Sequence, residues 1–208
     1  MTAPSSKRLV VFVKAPRSGR VKTRLAHSIG ADAACGVYQE LVAAVLDRIA
    51  TIPFVELRFA PDDALDEIKP WGRPGWKFAA QGEGDLGARL CRAFDDHFAS
   101  GAERVVVIGS DCPEMSDRDI CNAWDALADH DVVLGPALDG GYWLVGLRSS
   151  QPNLFCGISW SSSAVLDETL TLARREGLGI HLLRTLRDVD TQDDLQYWRD
   201  LGSGRALQ

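Results

Sequence analysis

Seven short apolar runs recur along the chain: "RLVVFVK", "FVELRF", "WKFAAQ", "RVVVIGS", "DVVLGPA", "GYWLVGL" and "IHLLRTL". Several are apolar at consecutive positions, the pattern of strands covered on both faces, rather than alternating as a half-exposed strand does. Between them lie segments of helical period. Over residues 85–98, Leu86, Leu90, Phe94 and Phe98 step by four, which predicts a helix with one stripe facing a sheet. Ala34, Val37, Tyr38, Leu41, Val45 and Ile49 form a second stripe. "SDRD" from Ser116 and "TQDD" from Thr191 resemble capping boxes with Asp in place of Glu, and so mark helix starts. Strand then helix, repeated, implies an α/β fold: a mostly parallel sheet with helices on both faces. One pair departs from this. In "VVLGPALDGGYWLVGL" two strand-like runs flank a tight Asp139-Gly140-Gly141 turn, which predicts an antiparallel neighbour.

A chain of 208 residues, 46% of them hydrophobic, suffices for one filled core, so a single domain over residues 1–208 is expected. The loop "KPWGRPGW" is too short to divide it. A net charge of −6 argues against a nucleic-acid polymer or an anionic membrane as the main partner, since either calls for a broad basic face. No apolar run is long enough to span a bilayer, and "MTAPSSKR" leads into no signal-peptide core; a cytoplasmic location is expected. Five cysteines without a CxxC pair suit reduced thiols that serve mainly in packing.

In open sheets of this kind ligands gather at the carboxyl ends of the strands, and four segments fall there. "KAPRSGRVKTRLA" packs Lys14, Arg17, Arg20, Lys22 and Arg24 around Gly19 in an otherwise acidic chain, a composition suited to phosphate, with a solvated basic loop as the plainer reading. A dinucleotide fingerprint would need further glycines, and a Walker A loop would need Gly where Val21 stands. "QGEGDLGARL" offers Gly82, Gly84 and Gly87 for close backbone approach, with Asp85 as helix cap or ligand contact. In "GSDCP", Asp111 should project from a strand end toward the cleft, since Ser116 already serves the next helix as cap; Cys112 reads as a small buried residue. In "RDVDTQDDL", Asp188 and Asp190 share a face if the strand continues, at the same sheet edge as Asp111. Two carboxylates ~4 Å apart repel by about 4 kcal/mol at an effective dielectric near 20, a cost that a divalent cation would convert into binding. Oxygen-only ligands suit Mg²⁺ or Mn²⁺.

These segments, with "GPALDGGYWLVGL" and "ISWSSSAVLDETL", stand in the order and spacing of a bacterial family of small GT-A-type proteins assigned to arsenosugar biosynthesis or to uncharacterised glycosyl transfer, and the resemblance runs through nearly the whole chain. More distantly the chain resembles the nucleotidyltransferases of molybdenum-cofactor and phospholactate metabolism. The resemblance implies a GT-A-like, nucleotide-diphospho-sugar transferase fold: a three-layer α/β/α sandwich on a mixed, mostly parallel seven-stranded sheet. It implies nucleotide and phosphate contacts from Lys14, Ala15, Gly19, Arg20, Lys22, Arg24, Gln81, Gly82, Asp85 and Ser110. It also implies Mg²⁺ or Mn²⁺ on Asp111 and Asp190, with Asp188 in a less defined part. The working expectation is a metal-dependent glycosyltransferase that takes a nucleotide-sugar donor and a small-molecule acceptor, with Arg20, Lys22 and Arg24 assisting the leaving group. Asp139 is its candidate base, or simply a residue the turn requires. The alternatives are a nucleotidyltransferase joining an NTP to a phosphorylated small molecule, and a non-catalytic nucleotide-binding protein. Trp160 and the serines after it are expected to close the same pocket.

Overall fold

The computed structural model describes residues 6–202. Seven strands form one sheet in the order β3-β2-β1-β4-β6-β5-β7. They are β1 (Lys7–Lys14), β2 (Val55–Ala60), β3 (Lys77–Ala80), β4 (Arg104–Ile108), β5 (Val132–Pro136), β6 (Tyr142–Leu147) and β7 (Ile180–Leu182). All neighbours are parallel except β6, which runs antiparallel to both β4 and β5, as the Asp-Gly-Gly turn predicts. The last strand is shorter than "IHLLRTL" suggests. After Leu182 the chain leaves the ladder and returns at an isolated parallel bridge between Ala137 and Leu186.

Why the central strands carry unbroken apolar runs is visible in how their residues divide. Successive side chains point to opposite faces. Leu9, Val11 and Val13 of β1, with Val106 and Ile108 of β4, join one core; Val10 of β1 joins Val105 and Val107 of β4 in the other. The first core is covered by α2 (Ala31–Arg48) through Val45 and by α5 (Asp117–Ala126) through Ile120 and Trp124. The second is covered by α4 (Leu86–Ala99) through Leu90 and Phe94, and by α6 (Val165–Arg175) through Leu170 and Ala173. Three layers result, and every inner strand needs apolar residues at both parities. The short helices α1 (Thr23–Ile29) and α3 (Leu65–Ile68) and the C-terminal α7 (Gln192–Gly202) complete the set. Leu25, Leu41 and Leu195 bring α1, α2 and α7 together in a third cluster.

Both expected capping boxes form. Ser116 Oγ accepts from the Asp119 amide while the Asp119 carboxylate accepts from the Ser116 amide, and Thr191 and Asp194 repeat the exchange. The expected α4 stripe is incomplete: Leu90 and Phe94 are buried, but Leu86 is 41% exposed and lines a cleft instead of packing in the core. Among the described residues no helix is long and apolar enough to cross a membrane.

Candidate functional site

Strand β1 pairs with β2 on one side and with β4 on the other, so the direction in which successive strands are added reverses between β1 and β4. A crevice is expected outside the carboxyl ends of such a pair. A cleft of about 890 Å³ opens there, lined from β1 by Lys14, from β4 by Ser110 and Asp111, from the β5–β6 turn by Asp139, and from the segment after β7 by Asp188 and Asp190.

Backbone pairing beyond the named strands delivers the last two carboxylates. The Leu186 amide donates to the Pro136 carbonyl, the Leu138 amide to the Leu186 carbonyl, and the Val189 amide to the Asp111 carbonyl at 3.0 Å. The segment thus runs along the end of β5 and then against the loop after β4. Val189 is buried between the two aspartates that flank it. That contact brings Asp111 and Asp190, 79 positions apart by subtraction of their numbers, to one place.

Lys22 Nζ sits between them, 2.6 Å from Asp111 Oδ1 and 2.8 Å from Asp190 Oδ1. Its side chain is only 4% exposed. Burial alone would lower the lysine pKa, but the charges of Asp111 and Asp190 outweigh it and hold the ammonium above its ordinary range. Lys22 also takes a left-handed backbone (φ 46°, ψ 47°) at the start of α1, a conformation uncommon for a residue with a Cβ. Arg24 reaches Asp190 Oδ2 at 3.7 Å from a largely exposed position. Burial, then the negative charges of Asp139 and Asp190, raise the Asp188 carboxyl to about 6. Cys112 is buried and its thiol is pushed well above the ordinary range, first by burial and then by Asp111 and Asp188, so it is no thiolate nucleophile.

Among the expected contacts, Lys14, Lys22, Arg24, Gln81, Asp85, Ser110, Asp111, Asp139, Asp188 and Asp190 line the cleft. Four do not. Ala15 turns into the core, and Gly19 and Arg20 lie exposed on the loop, where the Arg20 amide closes a turn on the Arg17 carbonyl. The Gly82 amide donates to Asp62. Arg17 is drawn away from the cleft by Glu67 and Asp63. Gln81 is buried beneath the cleft and its amide nitrogen donates to the Val13 and Arg58 carbonyls, which ties β3 to β1 and β2. Asp85 caps α4 through the Ala88 amide, and Asp139 Oδ1 accepts from the Gly141 amide.

Sequence reasoning missed two groups. Arg89 lines the cleft and is held by Gln81 Oε1 at 3.1 Å and the Gly84 carbonyl at 3.0 Å. Its signal was position: one turn beyond the Asp85 cap, on the face of α4 toward the strand ends. Phe12, Leu86, Leu90 and Tyr142 form an apolar wall together with Trp160. Leu86, Leu90 and Tyr142 look like core in sequence because the wall continues the second core outward. The expected Trp160 and Ser161 to Ser163 do line the cleft, beside the β5–β6 turn.

A divalent cation fits part of this arrangement. Two carboxylate oxygens converge on one buried positive charge, and an all-oxygen pair suits Mg²⁺ or Mn²⁺ completed by water or phosphate. Among the described residues, no three His, Cys, Asp or Glu side chains are grouped to hold a metal by themselves.

The chain resembles several known proteins. It is 35% identical to a candidate nucleotide-diphospho-sugar transferase of Desulfovibrio desulfuricans G20, whose crystal structure it matches with a TM-score of 0.90 over 98% of this chain and 90% of that one. It is 27% identical over 188 residues to the 2-phospho-L-lactate guanylyltransferase of Methanothermobacter thermautotrophicus, covering 88% of this chain and 81% of that one. A Mycobacterium tuberculosis H37Rv protein solved with manganese shares the fold at 17% identity, with a TM-score of 0.55 over 95% of this chain and 98% of that one. The fold is thus of the nucleotide-diphospho-sugar transferase type. A family model matches residues 45–162, more than half of the chain, and the protein therefore belongs to the family described as "Uncharacterized protein conserved in bacteria (DUF2064)".

Proposed function

We propose that the protein is a nucleotidyltransferase that joins a nucleoside triphosphate to a phosphorylated small molecule and releases pyrophosphate. The observation that carries this reading is the meeting of Lys22 with Asp111 and Asp190 at the switch point, beside Lys14 and Arg24. Supporting it is the likeness to a guanylyltransferase along most of the chain. Glycosyl transfer, the first expectation from sequence, has the candidate nucleotide-diphospho-sugar transferase in its favour but no feature of the cleft that calls for a sugar donor.

In this reading Lys14, Lys22 and Arg24 hold the phosphates, and the apolar wall from Phe12 to Trp160 takes the less polar parts of the ligands. Asp111 and Asp190 would hold the divalent cation, whose chemistry when bound is to neutralise charge on the reacting phosphate and the departing pyrophosphate. Catalysis is then mainly positional and electrostatic. A phosphate-bearing acceptor is already anionic near neutral pH, because its second pKa is about 6, so it needs no general base. Asp139, engaged with the Gly141 amide, is then a turn residue.

The leaving group decides the matter. Purified protein is incubated with each NTP, or with nucleotide sugars, and a panel of phosphorylated acids and sugar phosphates in Mn²⁺. Pyrophosphate released from an NTP is the expected result. A nucleoside diphosphate released from a nucleotide sugar would overturn it, and tight binding without turnover of any donor would favour a non-catalytic nucleotide-binding protein.

A further inference from the structure

The cation that the structure places between Asp111 and Asp190 belongs to the chain itself. Lys22 Nζ contacts Oδ1 of each carboxylate, at 2.6 and 2.8 Å, and is almost wholly covered, while the carboxylates remain 47% and 32% exposed. Solvent therefore reaches the carboxylates more readily than the ammonium between them. The spacing of the pair does not depend on Lys22 alone, since the Val189 amide is bonded to the Asp111 carbonyl. The Lys22 backbone, by contrast, is left-handed and has no side-chain cap, a conformation that costs an L-residue energy unless its surroundings hold it. The two ionic contacts are what the Lys22 side chain gains there.

We propose that Lys22 is an internal counter-ion which competes with a divalent cation for the Asp111–Asp190 pair. The inference rests on the reading that this pair is the metal site. A divalent ion that takes both Oδ1 atoms must displace Nζ, because the same oxygens serve both cations. The displaced ammonium then needs an anion, and nucleotide phosphates at the basic loop provide one. Metal and nucleotide binding are consequently coupled, each strengthening the other by the same factor. In the nucleotide-free protein the ammonium keeps two carboxylates together without a metal and sets a threshold against binding bare cations.

The test uses Mn²⁺ alone, titrated into the full chain and followed by the electron-spin resonance of free Mn²⁺. Lys22→Met is expected to bind Mn²⁺ at least tenfold more tightly than the unsubstituted protein. In EDTA the variant should melt lower, its two carboxylates now uncompensated, and added Mn²⁺ should raise its melting temperature more than it raises that of the unsubstituted protein. Equal or weaker Mn²⁺ binding by Lys22→Met overturns the competition. A second variant separates this failure from failure of the underlying reading. Asp111→Asn alone should weaken Mn²⁺ binding: if it does so while Lys22→Met brings no gain, only the competition falls, and if it leaves Mn²⁺ binding unchanged, Asp111 is no metal ligand and both inferences fall.

Discussion

The hydroxyl of Tyr38 accepts a hydrogen bond from the Lys14 amide at 2.7 Å and donates to the Lys14 carbonyl at 3.1 Å. Burial pushes this phenol up to about 12, so it is a neutral donor throughout the physiological range. In sequence Tyr38 is one apolar member of a helical stripe; only the packing of α2 under the end of β1 shows that its oxygen pins the place where the basic loop departs. Tyr38→Phe removes both of these half-buried hydrogen bonds and should cost about 1 kcal/mol in urea unfolding, with weakened nucleotide binding on the proposed reading. An unchanged midpoint would show that water replaces the hydroxyl. At Asp139 the two transfer chemistries diverge. Asn can keep the bond to Gly141 but cannot act as a base, so Asp139→Asn should retain pyrophosphate release to within about threefold, where a required general base would cost roughly 100-fold or more.

Among the elements, the β5–β6 turn contributes Asp139 and Gly141 to the wall of the cleft. Gly140 has φ 89°, its carbonyl accepts from the Leu166 amide, and a Cβ there would lie 2.2 Å from the Ser163 carbonyl oxygen. Gly177, after α6, has φ 70° but open space around it. Gly177→Ala should cost about 1 to 2 kcal/mol for backbone conformation alone. Gly140→Ala adds about 1 to 3 kcal/mol of overpacking and should also disturb the serine segment that closes the cleft. Comparing the two unfolding midpoints checks this; equal losses would mean that the 159–165 segment yields freely. The Asp-Gly-Gly signal read correctly as a hairpin because turn chemistry is local. That the same turn would be docked on a segment more than twenty positions later was not legible, since nothing in the turn residues specifies a distant partner.

Across the whole molecule, carboxylates with opposite shifts predict the pH profile of stability. Glu56 and Asp119 are both raised by burial but lowered more by their partners, His97 and Arg58 for Glu56, Arg184 and Ser116 for Asp119. Each contributes stability that is present above its unfolded pKa and lost as pH falls through the lower folded value. Asp188 has the reverse sign. Its folded pKa of about 6 lies above the ordinary aspartate value of 3.8, so the folded state holds the extra proton between the two, and stability declines as pH rises through that window. In metal-free buffer, stability should therefore peak near about pH 4 to 4.5, and Asp188→Asn should abolish the decline from there to about pH 6. Urea titrations from pH 3 to 8 measure both limbs; a variant that keeps the upper decline would acquit Asp188.

The layers and their order of use follow from patterns local to each segment of the chain. Strands apolar at both parities must be covered twice, helical stripes supply the cover, and capping residues and the Asp-Gly-Gly turn mark where elements begin and reverse, all of which are interactions within a few positions of one another. The sequence also marked the strand ends as the place for ligands, and most of the polar cleft residues were found there. Which of them meet depends on contacts between segments far apart in the chain. Ala15, Gly19, Arg20 and Gly82 stand in the same motifs as Lys22 and Gln81, yet the course of the loops directs them elsewhere. Asp111 and Asp190 meet because the segment after β7 leaves its ladder and bonds to the loop after β4, a pairing between strangers in sequence. Lys22 comes to rest between them because two negative charges at that spacing demand a positive one, and the folded chain brings its own.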